Sequence, residues 1–292
     1  MTFVVTGATG KLGRLTVEAL LAKNIPAEQI VAGGRDLTKL ADFADRGVHV
    51  RRIDYDDPDS LHDAFSGADK ILLVSGTDVG RRVQQHRNAI EAAGRAGVKL
   101  VAYTSVPHAD TTTLKLGAEH RATEEVLRSS GVPFAMLRNS WYLENYTEQL
   151  ETFLEYGVIV GNAGDGPISA ATRADYAEAA AEVLIKDGQA GKVYELGSDH
   201  PFTMSELAEQ VSTATGRPIE YRDLPTDDYT QALIGAGLPE DDAEMLADSG
   251  PSLARGDLLV AGDDLRTLIG RPTTTMPEAV RETADALVGS RD

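Results

Sequence analysis

Phe3-Val4-Val5-Thr6-Gly7-Ala8-Thr9-Gly10-Lys11-Leu12-Gly13 is the stretch that decides the fold. A short apolar run, glycines at every third position from Gly7 and then an amphipathic segment read as strand, turn and helix. Gly7 permits a tight turn, Gly10 lets the backbone approach a pyrophosphate, and Gly13 lets helix and strand pack closely. A helix opening there offers free N–H groups and the positive end of its dipole to phosphate oxygens. Thr6, Gly7, Thr9, Gly10, Lys11, Leu12 and Gly13 are therefore expected to contact a dinucleotide. A P-loop is excluded, because Leu12 follows Gly10-Lys11 where a Ser or Thr would coordinate magnesium.

The alternation continues through the first half of the chain. Apolar runs at 3–6, 29–32, 48–53, 70–74, 100–103 and 134–137 read as strands. Helical spacing separates them: Leu12, Leu15, Val17, Leu20 and Leu21 share one face, and Val79, Val83, Ile90 and Ala93 another. Strand–helix alternation with nearly continuous apolar strands predicts a parallel sheet covered on both faces. Beyond Arg138 the pattern predicts a helix over 148–156, a Gly-rich turn region over 157–169, a helix over 172–185 and a strand over 193–196. Thr203 and Glu206 form a capping box before an apolar-periodic run that Gly216-Arg217-Pro218 ends. Residues 223–256 are acidic and turn-rich with two weak helices, and a last helix covers 276–288 with Pro277 in its first turn. The expected fold is α/β: a Rossmann-like doubly wound parallel sheet over 1–150, with a smaller, mostly helical substrate lobe over 151–292. Segments at about 172–197 are expected to pack back on the core domain.

Composition narrows the partners. A 292-residue chain can bury roughly 75% of its unfolded surface and needs no staple to fold. There is no cysteine, which excludes thiolate metal sites and cysteine nucleophiles and fits a reducing cytoplasm. Lys plus Arg number 28 against 46 Asp plus Glu, a net charge of −18. Such a surface repels phosphate backbones and anionic lipid, so neither nucleic acid nor membrane is an expected partner. No apolar run approaches the roughly 20 residues that span a bilayer. The expected setting is soluble and cytoplasmic, with a homodimer left open and no metal.

Residues after the later strands refine the cofactor. Arg35 is the first charged residue beyond strand two, where an acidic side chain would take the ribose 2′-hydroxyl of NAD and an arginine a 2′-phosphate. This favours NADP(H) over NAD(H), with Asp36 either contesting the site or capping the helix near Leu37. Asp54 either reaches the adenine amino group or caps the turn before Pro58. Val74, Ser75 and Gly76 end strand four at the carboxyl edge, where cofactor and substrate meet. Thr104 and Ser105 end strand five there, contacting nicotinamide ribose or satisfying backbone donors.

These segments carry a resemblance. TGATGKLG at 6–13, GRD at 34–36 and YTS at 103–105 resemble the short-chain dehydrogenase/reductase superfamily. Gly117-Ala118-Glu119-His120, Gly131-Val132-Pro133 and Leu137-Arg138-Asn139-Ser140-Trp141-Tyr142 are similar to its atypical, NmrA-like branch, nearest the type 2 quinone oxidoreductases and triphenylmethane reductases. Asn162-Ala163-Gly164, Thr172-Arg173 and Asp263-Asp264-Leu265 extend the likeness over nearly the whole chain. It implies NADPH-dependent reduction of a quinone or similar conjugated acceptor without flavin. The superfamily's usual Tyr-x-x-x-Lys pair is missing: Pro107 stands four residues after Tyr103, and no other tyrosine has a lysine at that spacing.

A quinone or cationic dye needs little protonation as hydride arrives, so the cofactor carries the chemistry and the protein supplies orientation. A flat acceptor wants aromatic walls and a few donors. Asn139, Trp141, Tyr142 and Tyr146 follow strand six and are the expected substrate contacts, with lobe-to-core packing the alternative for Trp141 and Tyr142. His120 and Asn139 are the catalytic candidates. His120 is chosen as an auxiliary donor because an unperturbed imidazole titrates near pH 6.5; a hydrogen-bonded structural histidine beside Glu119 is the alternative. The competing function is a non-catalytic NADP(H)-binding redox sensor that regulates a partner. A reductase dedicated to one biosynthetic pathway fits the same residues.

Overall fold

The computed structural model describes residues 1–289; the last three residues of the expected 151–292 unit lie outside it. Its strands are β1 (Phe3–Val5), β2 (Ile30–Gly34), β3 (His49–Arg52), β4 (Lys70–Leu73), β5 (Leu100–Ser105), β6 (Phe134–Asn139), β7 (Val158–Gly161), β8 (Lys192–Leu196) and β9 (Glu220–Asp223). Seven of them form one sheet in the order β3-β2-β1-β4-β5-β6-β8, every neighbouring pair parallel. The order reverses between β1 and β4, which opens a crevice at the carboxyl ends of those strands, where such sheets take ligands.

The period-two geometry of a strand explains why its residues read as unbroken apolar runs. Phe3, Val5, Leu72, Ala102 and Leu137 enter one core, beneath helices Lys11–Ala22 and Arg173–Ile185. Val4, Ile71, Leu73, Val101 and Met136 enter the other, beneath helices Pro58–Phe65, Arg82–Arg95 and Lys115–Ser130. Helix Lys11–Ala22 buries Leu12, Thr16, Val17 and Leu20. Its partner Arg173–Ile185 meets it with a run of small residues, burying Ala177, Ala179, Ala180 and Ala181. A third core unites Leu143, Leu150, Phe153, Ile159, Met204, Leu253 and Val280 outside the sheet.

Several expectations need correction. β5 and β6 run two residues beyond 100–103 and 134–137, because Ser105 and Asn139 continue the ladder with their neighbours. The 157–169 region is not all turn: Val158–Gly161 pairs in parallel with Glu220–Asp223, a strand with too little apolar alternation to be read alone. The helix over 148–156 starts two residues later, as Leu150–Tyr156, and a separate short helix, Glu144–Thr147, precedes it. Val79 lies before helix Arg82–Arg95 and is 51% exposed. The buried face of that helix instead includes Arg82, Gln85 and His86, whose polar partners outweigh the hydrophobic pattern. The capping box forms as read, the Thr203 hydroxyl accepting from Glu206 N–H at 3.2 Å while the Glu206 carboxylate accepts from Thr203 N–H at 2.7 Å. Among the described residues no helix is long and apolar enough to cross a membrane.

Candidate active site

The glycine turn meets its steric requirements. Gly7 has φ +61°, the left-handed region that disfavours a side chain. A Cβ on Gly13 would stand 2.4 Å from the Gly7 carbonyl oxygen, so helix and turn close only over glycine. Helix Lys11–Ala22 begins with Gly10 as N-cap, without a capping side chain or an acidic residue in its first turn. Its first N–H groups are thus left for an external anion. Gly7, Thr9, Gly10, Lys11, Leu12 and Gly13 line a cleft of about 380 Å³, an arrangement that fits a pyrophosphate.

Arg35 and Asp54 line the same cleft, as do Val74, Ser75 and Gly76. Asp36 does not: its carboxylate caps its own turn, accepting from the Thr38 N–H at 3.1 Å and the Thr38 hydroxyl at 2.6 Å. Asp54 pairs with Arg52 at 2.8 Å and accepts from Asp56 N–H at 3.2 Å, so it shapes the turn while walling the cleft. Thr6 departs from expectation. It is wholly buried, donating to the Leu72 carbonyl at 3.0 Å and accepting from Val74 N–H at 2.9 Å, and so ties β1 to β4 behind the cleft. Tyr55, which sequence reading missed, lines the cleft and donates to the Val74 carbonyl at 2.7 Å.

Buried side chains hold the wall made by Ser75 and Gly76. The Thr104 hydroxyl accepts from Ser75 N–H at 2.8 Å, and His86 Nε2 accepts from Gly76 N–H at 2.9 Å. Because Nε2 accepts, Nδ1 carries the proton and donates to the Thr123 hydroxyl at 3.0 Å, which donates onward to the Glu119 carbonyl at 2.9 Å. Burial, helped by the Arg82 charge, pushes the His86 imidazole down to about 3, so it stays neutral.

Beyond Ser75 and Arg173, which belong to both spaces, the cleft continues into a cavity of about 410 Å³. Thr104, Ser105, His120, Asn139, Trp141 and Tyr142 all line it. Thr104 and Ser105 therefore border this cavity rather than the glycine cleft. The Ser105 hydroxyl donates to Glu124 at 2.8 Å, and Arg138 grips Glu124 and Glu195 across the strand ends, which stiffens this edge. Asn139 is 5% exposed, and its carboxamide oxygen has no hydrogen-bond partner among the described residues.

His120 reaches the cavity but not in the state expected of it. It is 3% exposed, and its Nδ1 lies 2.7 Å from the Tyr103 hydroxyl. Burial, together with the Arg82 charge, holds its imidazole well below the usual range. The site thus contains a neutral histidine, not one poised near neutrality. Tyr142 packs its ring under the Arg173 guanidinium at 4.8 Å and edge-on to Tyr176 at 5.5 Å. Trp141 is anchored through its carbonyl by the Tyr176 hydroxyl at 3.3 Å.

Tyr146 does not join Asn139, Trp141 and Tyr142 around that cavity. It lines a separate one, also of about 410 Å³, with Phe153, Met204 and Tyr229. Tyr146 sits in the short helix Glu144–Thr147, where its ring meets Phe202 edge-on at 6.1 Å. Arg173 is a further functional candidate, not among the residues expected from sequence to form the site. It opens the helix capped by Thr172, lines cleft and cavity alike, and is held by Glu148 at 3.0 Å and Asn145 at 3.0 Å. The Thr172-Arg173 pair at a helix start was the available signal. Among the described residues no cluster of His, Asp and Glu could hold a metal ion.

Comparison with known proteins places this geometry. The sequence profile of the NmrA-like family matches residues 1–251. Quinone oxidoreductase 2 of Escherichia coli is 47% identical over 94% of this chain and 96% of its own length. The crystal structure of an NADPH-dependent quinone oxidoreductase from Escherichia coli, complexed with NADPH, superposes with a TM-score of 0.93 at 45% identity, covering 98% of this chain and 100% of that one. The Citrobacter triphenylmethane reductase complexed with NADP(H) does so with a TM-score of 0.92 at 38% identity, covering 97% and 100%. The chain belongs to the NmrA-like family.

Proposed function

We propose that this protein is an NADPH-dependent reductase that passes hydride to a quinone or similar conjugated electrophile. The observation that carries the reading is the continuity of the glycine-turn cleft with an aromatic-walled cavity across the shared residues Ser75 and Arg173. A cofactor in the cleft and a flat acceptor in the cavity would meet at that junction.

When bound, NADPH supplies the hydride. The helix N-terminus at Lys11, Leu12 and Gly13 holds the pyrophosphate, Arg35 the 2′-phosphate, and the wall at Val74, Ser75 and Gly76 fixes the nucleotide's path. With Asp36 committed to Thr38, the 2′ position meets arginine and not carboxylate. Asn139 offers its unmatched oxygen to a donor on cofactor or acceptor. Trp141 and Tyr142 supply flat walls that orient the acceptor and exclude water, the terms by which proximity lowers a barrier. His120, neutral and bound to Tyr103, positions a hydrogen bond and does not titrate during turnover. Residues 1–150 hold the cofactor and parts of 151–292 close over the acceptor, in the cytoplasm.

The relatives support this reading, being a quinone oxidoreductase and a triphenylmethane reductase by name. Its test is purified protein with NADPH and a panel of benzoquinones, naphthoquinones and a triphenylmethane dye. Acceptor-dependent NADPH oxidation, faster than with NADH, is expected. Tight NADPH binding without turnover would overturn the reading in favour of a redox sensor.

A further inference from the structure

Two cavities meet at Trp141. The one beside the glycine cleft and the one around Tyr146 share Trp141, Asn145, Leu246 and Ser249, and each is about 410 Å³. A one-ring quinone seated in the first would reach none of the second. The walls of the two differ. The first mixes serine, threonine, asparagine and carboxylate side chains with its aromatics. The second gathers the aromatic side chains of Trp141, Tyr146, Phe153 and Tyr229 with Met204, and Asn145, Glu148, Gln149 and Asn162 also line it. Flat rings stack or meet edge-on against such walls, and methionine sulfur adapts to a ring's outline.

A second observation points the same way. Tyr146 and Tyr229 both line this cavity, and neither hydroxyl has a hydrogen-bond partner among the described residues, although Tyr146 packs its ring edge-on to Phe202 at 6.1 Å. Both residues are half-buried, so their hydroxyls are free to donate to a bound molecule.

Resting on the reductase reading, we propose that the cavity around Tyr146 is a distal acceptor subsite. It takes a second aryl ring, joined to the ring that receives hydride, and a polar atom on that ring accepts from Tyr146 or Tyr229. Trp141 is the partition against which both rings lie. Preferred acceptors would therefore be multi-ring molecules, and the distal ring would contribute to affinity without entering the chemistry.

The test uses three naphthoquinones with one common reacting ring: unsubstituted, bearing an alkyl chain, and bearing a methoxyaryl arm. With the intact protein, the aryl arm should lower KM about tenfold at unchanged kcat, and the alkyl chain should lower it less. Tyr229 stands on helix Thr226–Gly235, which has no buried residue, so Tyr229→Ala is a change the fold can bear. Tyr229→Ala should erase most of the aryl gain and Tyr229→Phe part of it, while KM for the unsubstituted quinone and for NADPH stays within about twofold. Met204→Trp, which fills the cavity from another element, should act on the aryl substrate alone. Equal KM for aryl and unsubstituted quinones, or variants that weaken both alike, would overturn the subsite. An alkyl chain as effective as the aryl arm would overturn its aromatic assignment. No turnover of any quinone would instead contradict the reductase reading, so the two failures are separable.

Discussion

On the proposed reading, cofactor choice turns on Arg35. It borders the cleft, while its neighbour Asp36 spends its carboxylate on Thr38. A charge-assisted contact to a phosphate is worth about 1.5–3 kcal/mol, or roughly 10- to 100-fold in affinity. Arg35→Ala should raise KM for NADPH by that factor and leave NADH within about twofold, as steady-state kinetics with both nucleotides would reveal. Equal losses for both would refute the 2′-phosphate assignment. The buried histidines give a second residue-scale expectation. In the unfolded chain His86 titrates near its ordinary 6.5, whereas in the fold it stays neutral down to about 3. The unfolded state therefore binds more protons between those values, and stability is full above about pH 6.5 and falls as pH drops toward 3. Replacing the imidazole by an uncharged acceptor, His86→Gln, should flatten the fall of Tm below pH 6.5; an unchanged slope would show that other groups govern it. His120, likewise neutral, should leave no inflection in the rate between about pH 5 and 8. A bell-shaped profile in that range that His120→Gln abolishes would show that the imidazole titrates in turnover.

At the scale of elements, the strand–turn–helix unit was legible because steric rules force its residues. Gly13 must be glycine where its Cβ would meet the Gly7 carbonyl at 2.4 Å. Gly13→Ala should destabilise the protein by about 2–4 kcal/mol and weaken NADPH binding at the same time. Thr203→Ala removes a cap remote from the cleft and should cost about 1 kcal/mol while sparing KM. Denaturant melts with parallel kinetics would separate the two; a Gly13→Ala protein with normal NADPH affinity would break the proposed link between turn geometry and cofactor. Other elements were illegible for physical reasons. β9 is a short charged stretch, Glu220-Tyr221-Arg222-Asp223, which becomes a strand only because Val158–Gly161 lies beside it. Helix Arg82–Arg95 buries polar residues that answer to Gly76 and Asp78, so its hydrophobic spacing misplaced Val79. The placement of Tyr146 depends on where one short helix turns, which no local pattern specifies.

Across the whole molecule, the sheet puts the site together from distant sequence. The glycine turn, the β4 edge, the β5 and β6 ends and the helix at Arg173 converge at one crevice. Their sequence positions identified most of the cleft; the way Arg173 and the 240–254 helix close the cavity is a product of tertiary packing. Lys11, on the cofactor side, pairs with Glu148 at 2.5 Å, and Glu148 also holds Arg173. Binding across this join should stabilise the chain as a unit: at about 100 times its Kd, NADPH should add about 2.7 kcal/mol and raise Tm by a few degrees. A melting curve in which only part of the protein shifts would argue against a common unit. The central claim is hydride delivery from NADPH held in the cleft to an acceptor in the adjoining cavity. Its most direct measurement is a single turnover in a rapid mixer: protein premixed with stoichiometric NADPH, then excess naphthoquinone. The account predicts complete loss of the reduced-nicotinamide absorbance, slower when the transferable hydrogen is deuterium. Absorbance that persists although NADPH remains bound would contradict it and mark the protein as a sensor.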